Sequence, residues 1–299
     1  MREFSSLTVA QMTGKEKIRA ANAGPKPWQL VSAALVFFLL VPLSAQMQSH
    51  PHQFDLSLIL EKTGEYCRRL ASASLDFVCQ EEIKERLYYS PYAKPMYLGG
   101  RFYRENRYLY DYQLIRKSGQ MLEKRILLEE NGKKKIEADA ELKTKQFEHK
   151  YVIFGPVGLL SPENQLYLSY QIEKEAKLGG ENVVIIDAKP KNPEDGSRLY
   201  GKVWIREGDF SILKIEWDQS SMGNIEGIME IAEKLKAKAY ITFVSEYGYE
   251  KNGIRFPSKY SVVEEYIIGK ERRSRIRYSH TAVTYKNYKF FTVETQVKY

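Results

Sequence analysis

Gly201-Lys-Val-Trp-Ile-Arg-Glu-Gly-Asp-Phe-Ser-Ile-Leu-Lys-Ile-Glu-Trp217 decides the fold. Lys202 to Arg206 is rich in β-branched and aromatic residues, Glu207-Gly208-Asp209 supplies turn chemistry, and Phe210 to Trp217 resumes the apolar pattern. The segment therefore predicts a β-hairpin. Its residues form strands and a turn and carry no chemistry of their own, so its meaning is architectural.

Working outward, the same pattern recurs. After the hairpin, Ile225, Ile228, Met229, Ala232 and Leu235 fall at helical spacing, which predicts an amphipathic helix over Asn224 to Lys236 with Asn224 as its N-cap. A meander follows: Ile241, Phe243, Tyr247 and Tyr249 share a face, Asn252-Gly253 is a two-residue hairpin signal, and Ile254, Phe256, Tyr260, Val262, Tyr266 and Ile268 alternate. Arg272 to Tyr285 makes a further strand, and Phe291, Val293, Val297 and Tyr299 a last one. Before the hairpin, Tyr167 to Ala176 and Val183 to Lys189 pair across Gly179-Gly180. Tyr108, Tyr110, Tyr112 and Leu114 alternate along one strand, and Leu122, Ile126 and Leu128 continue on the next as far as Asn131-Gly132. Arg101 to Arg104 reads as a short strand, and Lys133 to Lys150 as a short helix or charged loop. Tyr151 to Tyr167, broken by Gly155-Pro156 and Ser161-Pro162, is either tucked into the core or forms a lid.

The opening stretch also carries a resemblance. Gly201, Trp204 and Ile205, a polar turn and an apolar strand with Lys214 are similar to the central hairpin of the bacterial outer-membrane lipoprotein carrier (LolA/LolB-like) superfamily. Tyr249-Glu-Lys-Asn-Gly253-Ile-Arg-Phe-Pro257 resembles that family's hairpin in which Gly253 and Pro257 bracket a strand start. The resemblance implies an α+β fold, a long, strongly curved antiparallel sheet forming an open half-barrel wrapped over two or more helices, with a sheltered space for acyl chains. The family's cavity arginine has no motif match here. The expected cavity lining is Tyr108, Tyr110, Tyr112, Ile241, Phe243, Phe256, Tyr260 and Val262, residues that periodicity alone fits equally well to a filled core.

Residues 1–45 read as a signal peptide and 46–299 as a single lipoprotein-carrier-like domain. Leu30 to Val41 is an apolar run too short to span a bilayer, preceded by Arg2, Lys15, Lys17, Arg19 and Lys26 and followed by Leu43-Ser44-Ala45. Cleavage after Ala45 would expose Gln46, whereas a lipoprotein signal needs Cys there, so the expectation is an exported, periplasmic, unlipidated protein. The remaining chain holds 41 basic and 36 acidic residues, a net +5. That permits transient contact with a membrane surface and does not suit nucleic acid, which needs a concentrated basic stripe.

Leu56, Ile59, Leu60, Thr63, Cys67 and Leu70 place an amphipathic helix over Asp55 to Leu70. From Leu75 the period becomes two, with Phe77, Cys79, Ile83 and Leu87 on one face and Glu81 and Glu85 interrupting it. Two cysteines in an exported chain suggest a disulfide, Cys67 to Cys79, closed by packing the helix on that strand and worth about 3 kcal/mol.

No nucleophile elbow, metalloprotease motif or phosphate-binding loop is present, so the chain is read as no enzyme, with no cofactor and no metal. His50-Pro-His52 reads as polar linker. Neighbouring pairs such as Glu264-Glu265 face opposite sides of a strand. Arg273, Arg275 and Arg277 share one face, read as solvated. The expected function is binding of a lipid or lipoprotein acyl chain, the partner being a lipid or acylated protein. The rivals are an outer-membrane β-barrel, suggested by the aromatic C-terminus, and a periplasmic sensor that meets another envelope protein.

Overall fold

The computed structural model describes residues 55–73, 77–88, 104–117, 120–147, 149–192, 198–222, 225–269 and 274–291. They belong to one compact unit, His50–Tyr299. The leader, His50, His52, Leu75, residues 101–103, Asn224, Arg273, Val293, Val297 and Tyr299 lie outside the described residues.

The chain runs α1 (Leu56–Ala73), β1 (Phe77–Leu87), β2 (Arg104–Lys117), β3 (Gln120–Glu130), β4 (Lys133–Glu137), a 3₁₀ turn (Val152–Phe154), α2 (Gly155–Leu160) and α3 (Pro162–Gln165). It continues with β5 (Leu168–Leu178), β6 (Glu181–Pro190), β7 (Gly201–Arg206), β8 (Ile212–Trp217), α4 (Glu226–Lys234), β9 (Ala237–Glu246), β10 (Tyr249–Lys251), β11 (Ile254–Phe256), β12 (Lys259–Ile268) and β13 (Ser274–Phe290). Among the described residues, eleven strands form one antiparallel sheet in the order β4-β3-β2-β1-β13-β12-β9-β8-β7-β6-β5, and β10-β11 is a separate hairpin. The sheet is curved and open, with β4 and β5 as its edges. The fold is α+β, a long antiparallel sheet over helices, as the sequence predicts.

The hairpin at the centre of the sequence reading is β7-β8. Val203, Ile205, Ile212 and Ile215 are fully buried, while on the opposite face Lys214 Nζ sits 4.1 Å from the Trp204 ring centre. Gly201 is required by close approach: a Cβ there would lie 2.2 Å from the Glu216 carbonyl oxygen. Asn252 and Gly253 both take positive φ in the β10-β11 turn, as this pair does in tight hairpins. Pro257 is buried, and its carbonyl accepts a hydrogen bond from Tyr288 Oη at 2.5 Å.

The inner face is covered by α1, α2 and α3. Ile59, Tyr66, Cys67 and Leu70 form the buried stripe of α1, and Asp55 caps it by accepting from the Ser57 amide at 2.9 Å. The Arg255 amide donates to Tyr66 Oη at 2.9 Å, fastening α1 to β11. Tyr151 to Tyr167, which the sequence left between core and lid, folds into short helices with Ile153, Leu159 and Leu160 inside the core. Tyr247 Oη donates to the Val152 carbonyl at 2.9 Å, and a Cβ on Gly155 would lie 2.4 Å from that hydroxyl.

Four expectations are corrected. Lys133 to Lys150 is neither helix nor wholly loop: Asn131-Gly132 turns the chain into β4, whose lysines suit an edge strand. On β3, Leu122, Ile126 and Leu128 do not supply the inner face. Tyr112 pairs with Arg125 and Tyr110 with Leu127, so Arg125 and Leu127 face inward, while Leu122 and Ile126 sit opposite Ile115 and Asp111 on the other face. Cys67 and Cys79 are both buried free thiols. The helix does not bring them together, because α1 directs Cys67 at the Pro156 carbonyl, 3.4 Å away, whereas Cys79 sits on β1 opposite Tyr112 of β2. Finally, β13 runs unbroken to Phe290, past the end expected at Tyr285.

Candidate ligand-binding cavity

A half-open cavity of about 1090 Å³ lies on the inner face of the sheet. Its floor is built from three neighbouring strands: Trp217 of β8, Phe243 and Ser245 of β9, and Tyr260 and Glu264 of β12. The floor aromatics interlock, with ring centres 5.6 Å apart for Trp217 and Phe243 and 5.2 Å apart, edge to face, for Phe243 and Tyr260. Trp217 Nε1 donates to Ser245 Oγ at 3.0 Å, so the indole presents carbon to the cavity with its one donor satisfied. One wall is built from Lys145 to Phe147 and from His149 to Gly158, and the opposite wall is Met222, Ile225 and α4 through Ile228 and Ile231. Arg198 and Leu199 complete the lining.

Two buried glutamates of β1 hold the first wall in place. Glu81 and Glu85, the residues that interrupt the apolar alternation, are both fully buried. Glu85 accepts hydrogen bonds from the backbone amides of Lys145 and Gln146 at 2.7 and 2.9 Å and from Asn106 Nδ2 at 2.9 Å. Glu81 accepts from Arg125 Nε and Nη2 at 2.7 and 3.2 Å and pairs with His149 Nε2 at 2.8 Å. Burial pushes the Glu81 carboxyl up, but the charges and hydrogen bonds of His149 and Arg125 outweigh it and hold the carboxyl at about 2. Arg125 also donates to Glu123 Oε2 at 3.0 Å and lies over the Tyr112 ring. His149 is buried, its ring centre 5.1 Å from that of Tyr260, and its Nδ1 has no hydrogen-bond partner.

Glu264 on the floor is a different kind of buried acid. Burial raises its carboxyl above the usual range, against the lowering effect of hydrogen bonds from Tyr266 Oη at 2.5 Å and Ser279 Oγ at 2.7 Å. The next residue, Glu265, faces the other side across a bulge and takes Arg275 at 3.2 Å and Arg277 at 3.1 Å. Both arginines of the expected solvated face that are described therefore have a carboxylate partner.

Of the expected lining residues, Phe243 and Tyr260 line this cavity. Tyr108, Tyr110 and Tyr112 are buried on β2, where the Tyr112 hydroxyl donates to Glu123 Oε1 at 3.0 Å. Ile241 and Val262 are in the core around the floor, and Phe256 packs with Phe77 and Phe290 at ring-centre distances of 5.2 and 5.0 Å. Sequence reasoning missed Glu81, Glu85, Arg125, His149 and Glu264. The available signal was two glutamates four residues apart on the apolar face of a strand, since a buried carboxylate requires donors from elsewhere in the fold.

No family model matches the chain, and no curated protein matches it. Solved structures similar to it include a DUF1329 family protein from Desulfovibrio piger, 10% identical, covering 80% of this chain and 95% of its own with a TM-score of 0.35. A LolA superfamily protein from Nitrosomonas europaea is 13% identical over 81% of this chain and 96% of its own, TM-score 0.33. The MucA/MucB complex of Pseudomonas aeruginosa is 10% identical over 78% of this chain and 100% of the matched chain, TM-score 0.23. The superpositions are broad and loose, and what the cavity does rests on its own geometry.

Proposed function

We propose that this chain is an exported, periplasmic binding protein, cleaved after Ala45 and unlipidated, whose single domain over residues 46–299 shelters a hydrophobic ligand such as a lipid or lipoprotein acyl chain. The observation that carries this reading is the cavity itself: an aromatic floor of Trp217, Phe243 and Tyr260 beside an aliphatic wall of Met222, Ile225, Ile228 and Ile231, with the opposite wall held by buried glutamates. Its size matches pockets that take small amphiphiles. Covering apolar surface at about 25 cal/mol per Å² lets a chain bind usefully without a polar contact. The work done is binding, with no reaction assigned to it.

The barrel alternative does not fit the sheet. A membrane barrel closes on itself, whereas β4 and β5 end this sheet unpaired with each other.

The test uses the two tryptophans of residues 46–299, Trp204 on the outer face and Trp217 on the cavity floor. In a Trp204→Phe protein, a brominated fatty acid is expected to quench Trp217 fluorescence saturably, and bacterial lipid is expected to co-purify in native mass spectrometry. Absence of both quenching and bound lipid refutes the reading.

A further inference from the structure

The walls of the cavity carry two glycines that folding leaves unexplained. Four glycines lie in the described helices: Gly64 of α1, Gly155 and Gly158 of α2, and Gly227 of α4. Packing requires the first two, because a Cβ on Gly64 would lie 3.2 Å from Pro162 Cγ and one on Gly155 would lie 2.4 Å from Tyr247 Oη. A Cβ on Gly158 or Gly227 meets nothing within 4 Å, and neither residue has a positive φ. Glycine weakens a helix relative to alanine, so at both positions it costs the fold without serving it. Both residues are exposed and both line the cavity, Gly158 at the end of one wall and Gly227 on the α4 side.

Resting on the binding reading above, we propose that Gly158 and Gly227 are specificity-determining residues of the site and that they select by girth. Bare backbone at these two positions lets the cavity take an amphiphile with two acyl chains side by side, and a larger side chain at either one restricts it to a single chain. The volume agrees with this. An acyl chain of sixteen carbons fills roughly 500 Å³ at about 30 Å³ per carbon, the share that a molecule of similar size takes in a liquid, so one such chain occupies about half of the cavity's 1090 Å³. Around the glycines, Val152, Phe154, Ile228 and Ile231 bring side chains to the lining, which leaves Gly158 and Gly227 as recesses in the walls. Gly155 also lines the cavity, but the space at its Cβ is already taken by Tyr247 and Trp217.

The experiment uses two lipids with the same head group and the same number of acyl carbons: lauroyl-lysophosphatidylcholine, with one chain, and dihexanoyl-phosphatidylcholine, with two. Each is titrated calorimetrically into the exported protein below the concentration at which it forms micelles. Wild type is expected to bind both. In Gly158→Leu and in Gly227→Leu the two-chain lipid is expected to bind about tenfold weaker, the worth of about two methylene groups denied burial, while the one-chain lipid stays within about threefold of wild type. Gly208→Leu, which enters open space on the β7-β8 turn outside the cavity lining, is expected to change neither affinity. Gly158→Ala and Gly227→Ala are expected to unfold at the same urea concentration as wild type or a higher one. An unchanged ratio of the two affinities in the leucine variants, an equal loss in Gly208→Leu, or alanine variants less stable than wild type each overturn the assignment. If wild type binds the one-chain lipid alone, the girth assignment falls and the cavity reading stands; if it binds neither, the cavity reading falls with it. Should a leucine variant not fold, Gly158→Ala/Gly227→Ala is expected to lower the ratio of two-chain to one-chain affinity by a smaller factor, and an unmoved ratio there overturns the proposal.

Discussion

Replacing Glu81 by leucine tests the buried cluster that positions the cavity wall. Glu81 sits on an otherwise apolar face, so leucine suits the strand and changes little except the charge. What it removes is the acceptor for two Arg125 hydrogen bonds, at 2.7 and 3.2 Å, and the partner of His149 at 2.8 Å. Arg125, 7% exposed, then keeps only Glu123 as a carboxylate partner. Truncating one member of a buried ion pair costs about 3–5 kcal/mol, mostly through the charge left behind. The shifted acidity points to a similar size. A carboxyl at about 2 in the folded chain against 4.5 unfolded contributes on the order of 3 kcal/mol, present above pH 4.5 and lost as the pH falls from there toward 2. Urea unfolding followed by circular dichroism at pH 7 and pH 3 is the assay. Glu81→Leu is expected to lose about 3–5 kcal/mol at pH 7 and less at pH 3, with an unchanged m-value. Glu81→Leu/Arg125→Met removes both charges and is expected to recover much of the loss. A single variant within about 1 kcal/mol of wild type at pH 7, or a double variant as unstable as the two singles summed, refutes the reasoning.

Other expectations follow from the same packing. Burial raises the pKa of Glu264, so it weakens the fold as the pH rises through and above the ordinary carboxyl range; Glu264→Gln is expected to match or exceed wild-type stability at pH 8 and to lose that advantage at pH 4, checked by thermal melts at both. Gly201→Ala drives a methyl against the Glu216 carbonyl and is expected to cost roughly 2 kcal/mol or more in urea unfolding, whereas Gly208→Ala, with open space around its Cβ, is expected to cost under about 1. Burial pushes both thiols up, Cys67 to about 12, so a thiol reagent is expected to detect neither in the native protein and two after denaturation without reductant. Recovery of a Cys67–Cys79 peptide from the non-reduced protein contradicts that expectation.

Local sequence was sufficient for most of the strands and for α1, though not for β4 or the short helices of 151–167, because strand alternation, turn glycines and helical spacing are properties of neighbours along the chain. Gly201 to Trp217 became β7-β8, Asn252-Gly253 became the β10-β11 turn, and Leu56 to Leu70 put its apolar stripe inside. Parity on β3 was beyond that reach: a bulge near Leu109 and pairing with β2 selected Arg125 and Leu127 for the inner face over the apolar Leu122, Ile126 and Leu128. The cysteines show the same limit, since period placed each on a buried face but not on facing ones.

The cavity was decided by tertiary structure almost entirely. Along the chain Glu81 and Glu85 are blemishes on an apolar strand; Arg125 lies on β3 with β2 in between, and His149 lies beyond β2, β3 and β4. Only the folded sheet sets Arg125 beside Glu81 and brings Lys145, Gln146 and His149 onto the two glutamates. A buried carboxylate announces in sequence that it needs a partner, but long-range pairing chooses which one. The stretch from Gly201 to Trp217 therefore determined what kind of sheet this protein builds. The enclosure of space above Trp217 was decided by wall segments held by charges far away in the chain.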